Sequence, residues 1–228
     1  MSGEQGFGFD PEAIEHLGKQ VECAVSLGVE IAVVIGGGNL WRGGAGSHRL
    51  GIERVNADYM GMLGTVMNGL ALQGVLERLG HTTRVLSAIE MNVVTESYTR
   101  RRAMQYMAEG HVVVFVAGTG CPFFSTDTVA ALRAAEIGAD LMIKATQVDG
   151  VYSADPRKDP NAQRFATISH AEYLARGLGV LDIAAVALCK ENQIPVIVLS
   201  LGKPDNISLA LQGEDIGTMI GGEFIVRS

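Results

Sequence analysis

The residues most able to do chemistry follow an apolar run, Ile31 to Ile35. They read Gly36-Gly37-Gly38-Asn39-Leu40-Trp41-Arg42-Gly43-Gly44. Glycine has no Cβ, so successive glycines let the backbone turn sharply and bring N–H groups close to a ligand. N–H groups at a helix start or in a backbone nest favour an anion. Arg42 adds a planar cationic fork suited to phosphate. The segment reads either as a phosphate site between strand and helix or as a tight turn beside a surface arginine. A second loop reads Ala117-Gly118-Thr119-Gly120-Cys121-Pro122-Phe123-Phe124-Ser125-Thr126-Asp127. Thr119, Ser125 and Thr126 offer hydroxyls, Gly118 and Gly120 permit close approach, and Phe123 and Phe124 could wall a base. Asp127 by itself reads as an ordinary helix N-cap. A third loop runs from Lys144 to Asp155. Lys144 ends an apolar strand, an expensive place for an unpaired charge. Tyr152 could stack on a base or cover the core.

Several chemistries are excluded. Gly-x-x-x-x-Gly-Lys-Ser/Thr is absent, so there is no Walker A loop. The protein-kinase signature set is absent too. No Gly-x-Gly-x-x-Gly with a properly spaced acidic residue follows the first strand, which argues against a dehydrogenase. His16, His48, His81, His111 and His170 are scattered, read as surface residues, and give no metal-site pattern. Cys23, Cys121 and Cys189 are widely spaced and odd in number, so a disulfide framework is not expected and a reduced, cytoplasmic compartment fits. Cys121, with no histidine or carboxylate close in sequence, reads as structural. The net charge of −7 speaks against non-specific nucleic-acid binding. No apolar stretch reaches the ~18 residues of a membrane span, and no signal peptide is evident.

The elements that must position these loops alternate between helix and strand. The 228 residues are 47% hydrophobic but only 6% aromatic, so the core is expected to be aliphatic. Periodicity places helices over 11–27, 58–79, 98–109, 126–137, 169–176, 181–192 and 207–211. Asp10 before Pro11 is an N-cap followed by proline at the first helical position. Strands are expected at 29–35, 82–86, 112–116, 140–144 and 195–200, with an edge strand at 218–220. Repeated strand–helix units imply a mostly parallel sheet with helices on both faces, and ligands beyond the carboxyl ends of its strands. The three polar loops all leave such ends. No linker or repeat interrupts the chain, so one domain over residues 1–228 is expected.

Four long motifs, in order, are similar to those of the bacterial UMP kinases (uridylate kinases) of the amino-acid kinase superfamily. They are Val33 to Gly43, Ala57 to Leu70, Ala117 to Asp127 and Lys144 to Pro156. The resemblance implies an α/β fold, a three-layer α/β/α sandwich, and transfer of the ATP γ-phosphoryl group to UMP with Mg²⁺. It implies a homohexamer. Carried over by position, Gly37, Asp58, Thr119, Gly120, Cys121, Pro122, Phe123, Phe124, Ser125 and Thr126 would hold UMP, with Asp58 on the ribose hydroxyls. Ser2, Gly3, Gly38, Arg42, Thr146, Tyr152 and Asp155 would contact ATP. Lys144 and Arg42 would face the transferred group, and Asp182 is similar to an aspartate that orients catalytic lysines. No protein-held metal is implied. The acceptor is itself a phosphate, mostly dianionic near neutrality, so no general base is needed.

Departures from the family pattern carry expectations of their own. Family members begin with a strand ending Lys-x-Ser-Gly-Glu, whereas this sequence starts Met1-Ser2-Gly3-Glu4. The expectation is a chain lacking its first strand and that lysine, with weakened transfer. A non-catalytic nucleotide-binding or storage protein on the same fold is the alternative. Gln73 and Glu77 stand where some members carry basic residues for a GTP effector, so GTP control is not expected. Cys121 replaces the usual asparagine.

Overall fold

A computed structural model describes residues 7–222; Ser2 and Gly3, expected at ATP, lie outside the described residues. The chain divides into two compact units, residues 1–126 and 127–228.

The first unit is built on a four-stranded sheet in the order β1-β4-β2-β3, where β1 is Ala32–Val34, β2 Thr83–Ser87, β3 Glu96–Ser97 and β4 Val112–Val116. Every pairing in it is parallel. β4 is buried at all five positions, as its unbroken Val-Val-Val-Phe-Val requires of a central parallel strand. Alternate residues of β4 serve opposite faces. Val112, Val114 and Val116 meet Val21 of α1 (Pro11–Val25) and Met62, Val66, Leu72 and Leu76 of α3 (Arg54–Arg78). Phe115, of opposite parity, meets Tyr98 edge-on at 5.3 Å between ring centroids, and α4 (Arg100–Ala108) also packs on β4. Asp10 caps α1 as expected, its Oδ1 accepting from the N–H groups of Glu12 (2.9 Å) and Ala13 (3.3 Å).

Two elements of this unit were not anticipated. α2 (Gly43–Leu50) is a glycine-rich helix of low intrinsic propensity. It forms because Gly46 lets the backbone lie against the Trp41 ring, where a Cβ would come within 2.3 Å. Trp41 is fixed in turn by Nε1 donating to the Ala57 carbonyl at 2.7 Å. α3 also begins at Arg54, a turn before the expected start. β3, with two residues, is too short for any period to reveal.

The second unit carries a sheet in the order β5-β7-β8-β6, where β5 is Met142–Thr146, β6 Thr167–Ile168, β7 Val196–Ser200 and β8 Thr218–Ile220. All pairings are parallel except β7 with β8. The expectation that 218–220 forms an edge strand is corrected: β8 lies inside, between β7 and β6. Its burial follows from Thr218, whose hydroxyl donates to Phe165 O at 2.5 Å and accepts from Val151 N–H at 2.9 Å. The core joins Ala131 and Ala134 of α5 (Thr126–Ile137), Tyr173 of α6 (His170–Arg176) and Ala185, Val186 and Cys189 of α7 (Ile183–Glu191) to Met142, Val196, Val198 and Ile220. α8 (Asn206–Leu211) packs on β7. His170, expected at the surface, is buried, with Nε2 3.1 Å from Ile194 O. Burial is the main cause that lowers its pKa from the ordinary 6.5.

Candidate functional site

In the first unit β1 and β4 are neighbours and run parallel. Their carboxyl ends therefore share one rim, and the loops 35–42 and 117–125 leave side by side. α3 fastens both. Asn68 donates from Nδ2 to the Gly36 carbonyl at 2.6 Å and lies amide to amide against Asn39. Gly37 sits so close to α3 that a Cβ there would be 2.4 Å from Gly61 O and 3.0 Å from Thr65 N. The Thr65 hydroxyl accepts from the Ala117 N–H at 2.7 Å and donates to Met62 O at 2.7 Å. The two loops also meet directly, since a Cβ on Gly36 would lie 3.1 Å from Thr126 Oγ1.

Asp58, expected at a ribose, holds protein groups here. Its Oδ2 accepts from the Phe123 N–H at 2.9 Å, and its Oδ1 accepts from Arg54 Nε at 2.7 Å. Gly43 makes room for this carboxylate, because a Cβ there would fall 2.3 Å from Oδ1. The loop it holds is conformationally unusual: Ala117 (φ 60°) and Phe123 (φ 73°) are non-glycine residues in the left-handed region. Such positions are sparsely populated and persist only when surrounding contacts impose them. Phe123 and Phe124 remain exposed, and the Arg54 guanidinium stands 5.8 Å from the Phe123 ring centroid. Thr119 Oγ1 accepts from the Cys121 N–H at 3.1 Å, closing a small turn in which Cys121 is exposed and Gly120 and Pro122 are half-buried. Arg42 is exposed, and its Nε donates to Gly38 O at 3.2 Å. The guanidinium is thus steered along the glycine turn.

In the second unit Lys144 stands in β5 and its ammonium pairs with the Asp127 carboxylate. Both side chains are largely but not wholly buried, at 27% and 16% exposure. The reading of Asp127 as a plain N-cap is corrected: it lies in the first turn of α5 and serves as the counter-charge of Lys144. Asp182 is the N-cap of α7, accepting from the Ala185 N–H at 2.7 Å. It also accepts from the Thr128 hydroxyl, 3.0 Å from each carboxylate oxygen. Thr128 follows Asp127 directly, so Asp182 braces the turn that carries Lys144's partner. Beyond β5, Tyr152 pairs across a β-bridge with Arg164 and donates from its hydroxyl to Asp149 Oδ1 at 2.9 Å. That acceptor is the main cause that raises the tyrosine's pKa. Asp155 folds its own turn, Oδ1 accepting from the Arg157 N–H at 3.0 Å. Thr146 ends β5, its carbonyl accepting from Leu201 N–H at 2.8 Å.

The structure thus gathers Gly37, Gly38, Arg42, Asp58 and Thr119 to Thr126 on one rim of the first unit. It gathers Lys144, Asp127 and Asp182 in the second. Reasoning from sequence missed Arg54, Thr65, Asn68 and the role of Asp127. Only Arg54 left a local signal, its spacing of four from Asp58 on a helix.

The amino acid kinase family model matches residues 2–200. The UMP kinase of Bacillus anthracis superposes with a TM-score of 0.93 at 35% identity, covering 96% of this chain and 90% of that one. The UMP kinase of Ureaplasma parvum gives 0.88 at 38% identity, covering 94% and 91%. The uridylate kinase of Archaeoglobus fulgidus gives 0.72 at 30% identity, covering 92% and 93%. The fold is thus the mixed α/β architecture, with mostly parallel strands, that these enzymes share. Similarity of this extent and identity shows that the chain belongs to the amino acid kinase family and stands among its UMP kinases.

Proposed function

We propose that this protein transfers the γ-phosphoryl group of ATP to UMP, giving UDP and ADP. The observation that carries this reading is the likeness to two UMP kinases at 35% and 38% identity over more than nine-tenths of the chain. The geometry of the loops supports it. UMP would lie on the first unit's rim. Gly37 and Gly38 would offer close backbone approach to its phosphate, and Arg42 a cation. The loop Thr119 to Thr126 would take the base, and Asp58 would order that loop while offering its remaining acceptor capacity to the ribose. ATP would engage Gly38, Arg42, Thr146, Tyr152 and Asp155, with the Lys144 ammonium toward the phosphoryl group.

The acceptor oxygen belongs to a phosphate dianion, so transfer needs alignment and charge cancellation more than proton removal. Lys144 suits this task because Asp127 fixes its position in a partly dry setting, where a cation acts more strongly than in water. Mg²⁺ is read as a passenger on the ATP phosphates. Among the described residues no group of three or more His, Cys, Asp or Glu is gathered to hold a metal ion. When bound, it would neutralise charge on the β- and γ-phosphates. We further read the protein as a homohexamer acting in the cytoplasm, in keeping with three cysteines of which none forms a disulfide. No helix of the described residues is long and apolar enough to cross a membrane.

The test is UDP formation from ATP and UMP, followed by coupled assay across a panel of acceptors that includes CMP, carbamate and amino-acid carboxylates. UMP is expected to be preferred. Preference for a carboxylate acceptor, or tight nucleotide binding without UDP formation, would overturn the assignment, the latter in favour of a storage role.

A further inference from the structure

Arg54 is the first residue of α3, a place where helix energetics do not favour it. The N-terminal turn of a helix carries partial positive charge, so a cation there is disfavoured. Its pairing with Asp58 four residues on also runs in the less favourable order, cation before anion. The pair forms all the same, with Arg54 Nε donating to Asp58 Oδ1 at 2.7 Å. The Asp58 side chain is 12% exposed and that of Arg54 51%, so a sunken carboxylate is met by an arginine from the solvent side. The guanidinium also stands near both rim segments. It is 5.8 Å from the Phe123 ring centroid, and its Nη1 is 3.8 Å from where a Cβ on Gly44 would be.

Asp58 is thus held at both oxygens, Oδ2 by the Phe123 N–H at 2.9 Å and Oδ1 by Arg54. A carboxylate offers about four acceptor positions and no donor. Two are taken, and the two that remain accept only from donors. On a nucleoside monophosphate, the paired donors that match two carboxylate oxygens are the vicinal hydroxyls of the ribose.

We propose that Arg54 is a positioning residue for the acceptor's sugar: by fixing the rotation of the Asp58 carboxylate, it makes the rim select ribose over 2′-deoxyribose. This rests on the UMP kinase reading and adds to it the residue that sets sugar specificity. With Oδ1 released, the carboxylate pivots on its remaining bond to Phe123, and its open acceptor positions no longer face both hydroxyls. Two consequences of losing Arg54 are separable. Disorder passed to the loop through Phe123 weakens every acceptor alike. Misorientation of the carboxylate weakens only an acceptor that carries the 2′-hydroxyl.

The test is the calorimetric affinity of the full chain for UMP and for 2′-deoxy-UMP. It compares wild type, Arg54→Gln, Arg54→Lys, Asp58→Asn and the double variant Arg54→Gln with Asp58→Asn. Wild type is expected to prefer UMP by about 10- to 100-fold, the worth of one hydrogen bond to a charged group. Arg54→Gln should weaken UMP about tenfold and 2′-deoxy-UMP by about twofold at most. Arg54→Lys, which keeps the charge without the planar fork, should fall between. In the Asp58→Asn background, Arg54→Gln should leave the preference unchanged, because the two residues act as one unit. Circular dichroism checks folding; should Arg54→Gln unfold, Arg54→Lys reads the same ratio against wild type. Equal weakening of both nucleotides, or an unchanged preference, overturns the inference and leaves Arg54 a structural tie to the loop. A wild type that binds both nucleotides alike also overturns it, with the kinase reading intact. A wild type that binds neither strikes at the kinase reading itself, and this inference falls with it.

Discussion

At the scale of single residues, the two most informative contacts involve titratable side chains drawn out of water. Lys144 and Asp127 form a pair in which each justifies the other's burial. If Lys144 stabilises the transferred phosphoryl group, Lys144→Ala should lower kcat by about 10²–10³, as loss of one positioned electrostatic donor does. Asp127→Asn should lower kcat while leaving the KM for UMP within a few-fold, because it releases the lysine without touching the acceptor rim. Steady-state UDP assays read both; a KM effect without a kcat effect would assign the pair to binding. His170 is a different case, neutral and structural. Its folded pKa is lowered below 6.5, chiefly by burial, while Ile194 O opposes the shift and Lys190 adds to it. The unfolded chain therefore takes up the proton more readily than the folded one. This contribution to stability is complete above 6.5 and lost as pH falls below that value. Melting temperatures measured from about pH 8 to 5 should fall less steeply for His170→Gln, which retains a donor toward Ile194, than for wild type. Parallel curves would show that His170 does not titrate on unfolding.

At the scale of elements, the loops are only as ordered as their anchors on α3. Gly37 makes this testable. A Cβ there would meet Gly61 O at 2.4 Å and Thr65 N at 3.0 Å, both backbone atoms that cannot turn aside. Gly37→Ala should cost about 1–3 kcal/mol, the usual range for overpacking, and lower Tm by about 2–4 °C per kcal/mol in a protein of this size. It should also raise the KM for UMP, and calorimetry with initial-rate kinetics checks both. Much of this layer was legible beforehand. Asp10-Pro11 marked the start of α1, and the unbroken apolar run Val112 to Val116 marked a central strand. The glycine loops stood where parallel strands end. The anchors were not legible, because Thr65 lies 52 residues from Ala117 and Asn68 lies 32 from Gly36. An Asn or Thr inside a helix carries no sign of which distant backbone it will meet. α2 was hidden for the opposite reason, since its glycines argue locally against a helix that Trp41 packing supports. Asp127 was misread because a carboxylate at a helix start satisfies the capping rule whether or not a lysine waits across the sheet.

At the scale of the whole molecule, the chain is two compact units with separate sheets and separate cores. The proposed acceptor residues Gly37, Asp58 and Thr119 to Thr126 fall in the first. The proposed donor residues Lys144, Thr146, Tyr152 and Asp155 fall in the second. A ligand that binds only the folded form stabilises it by RT ln(1 + [L]/Kd), about 2.7 kcal/mol at a hundredfold excess over Kd. Amide exchange reports that stabilisation segment by segment, because each segment opens with its own free energy. UMP alone should therefore slow exchange in 36–42 and 117–126 and in the α3 turns from Asp58 to Asn68 that anchor them. A non-hydrolysable ATP analogue with Mg²⁺ should slow exchange in 144–155, and in 36–42 through Gly38 and Arg42. Protection of 117–126 by the ATP analogue and of 144–155 by UMP would exchange the two assignments while leaving the fold and the family as they stand. Equal protection of all three loops by either nucleotide would show that one ligand orders both units together, and residue-by-residue assignment of donor and acceptor would then have to come from the kinetics of variants on each rim.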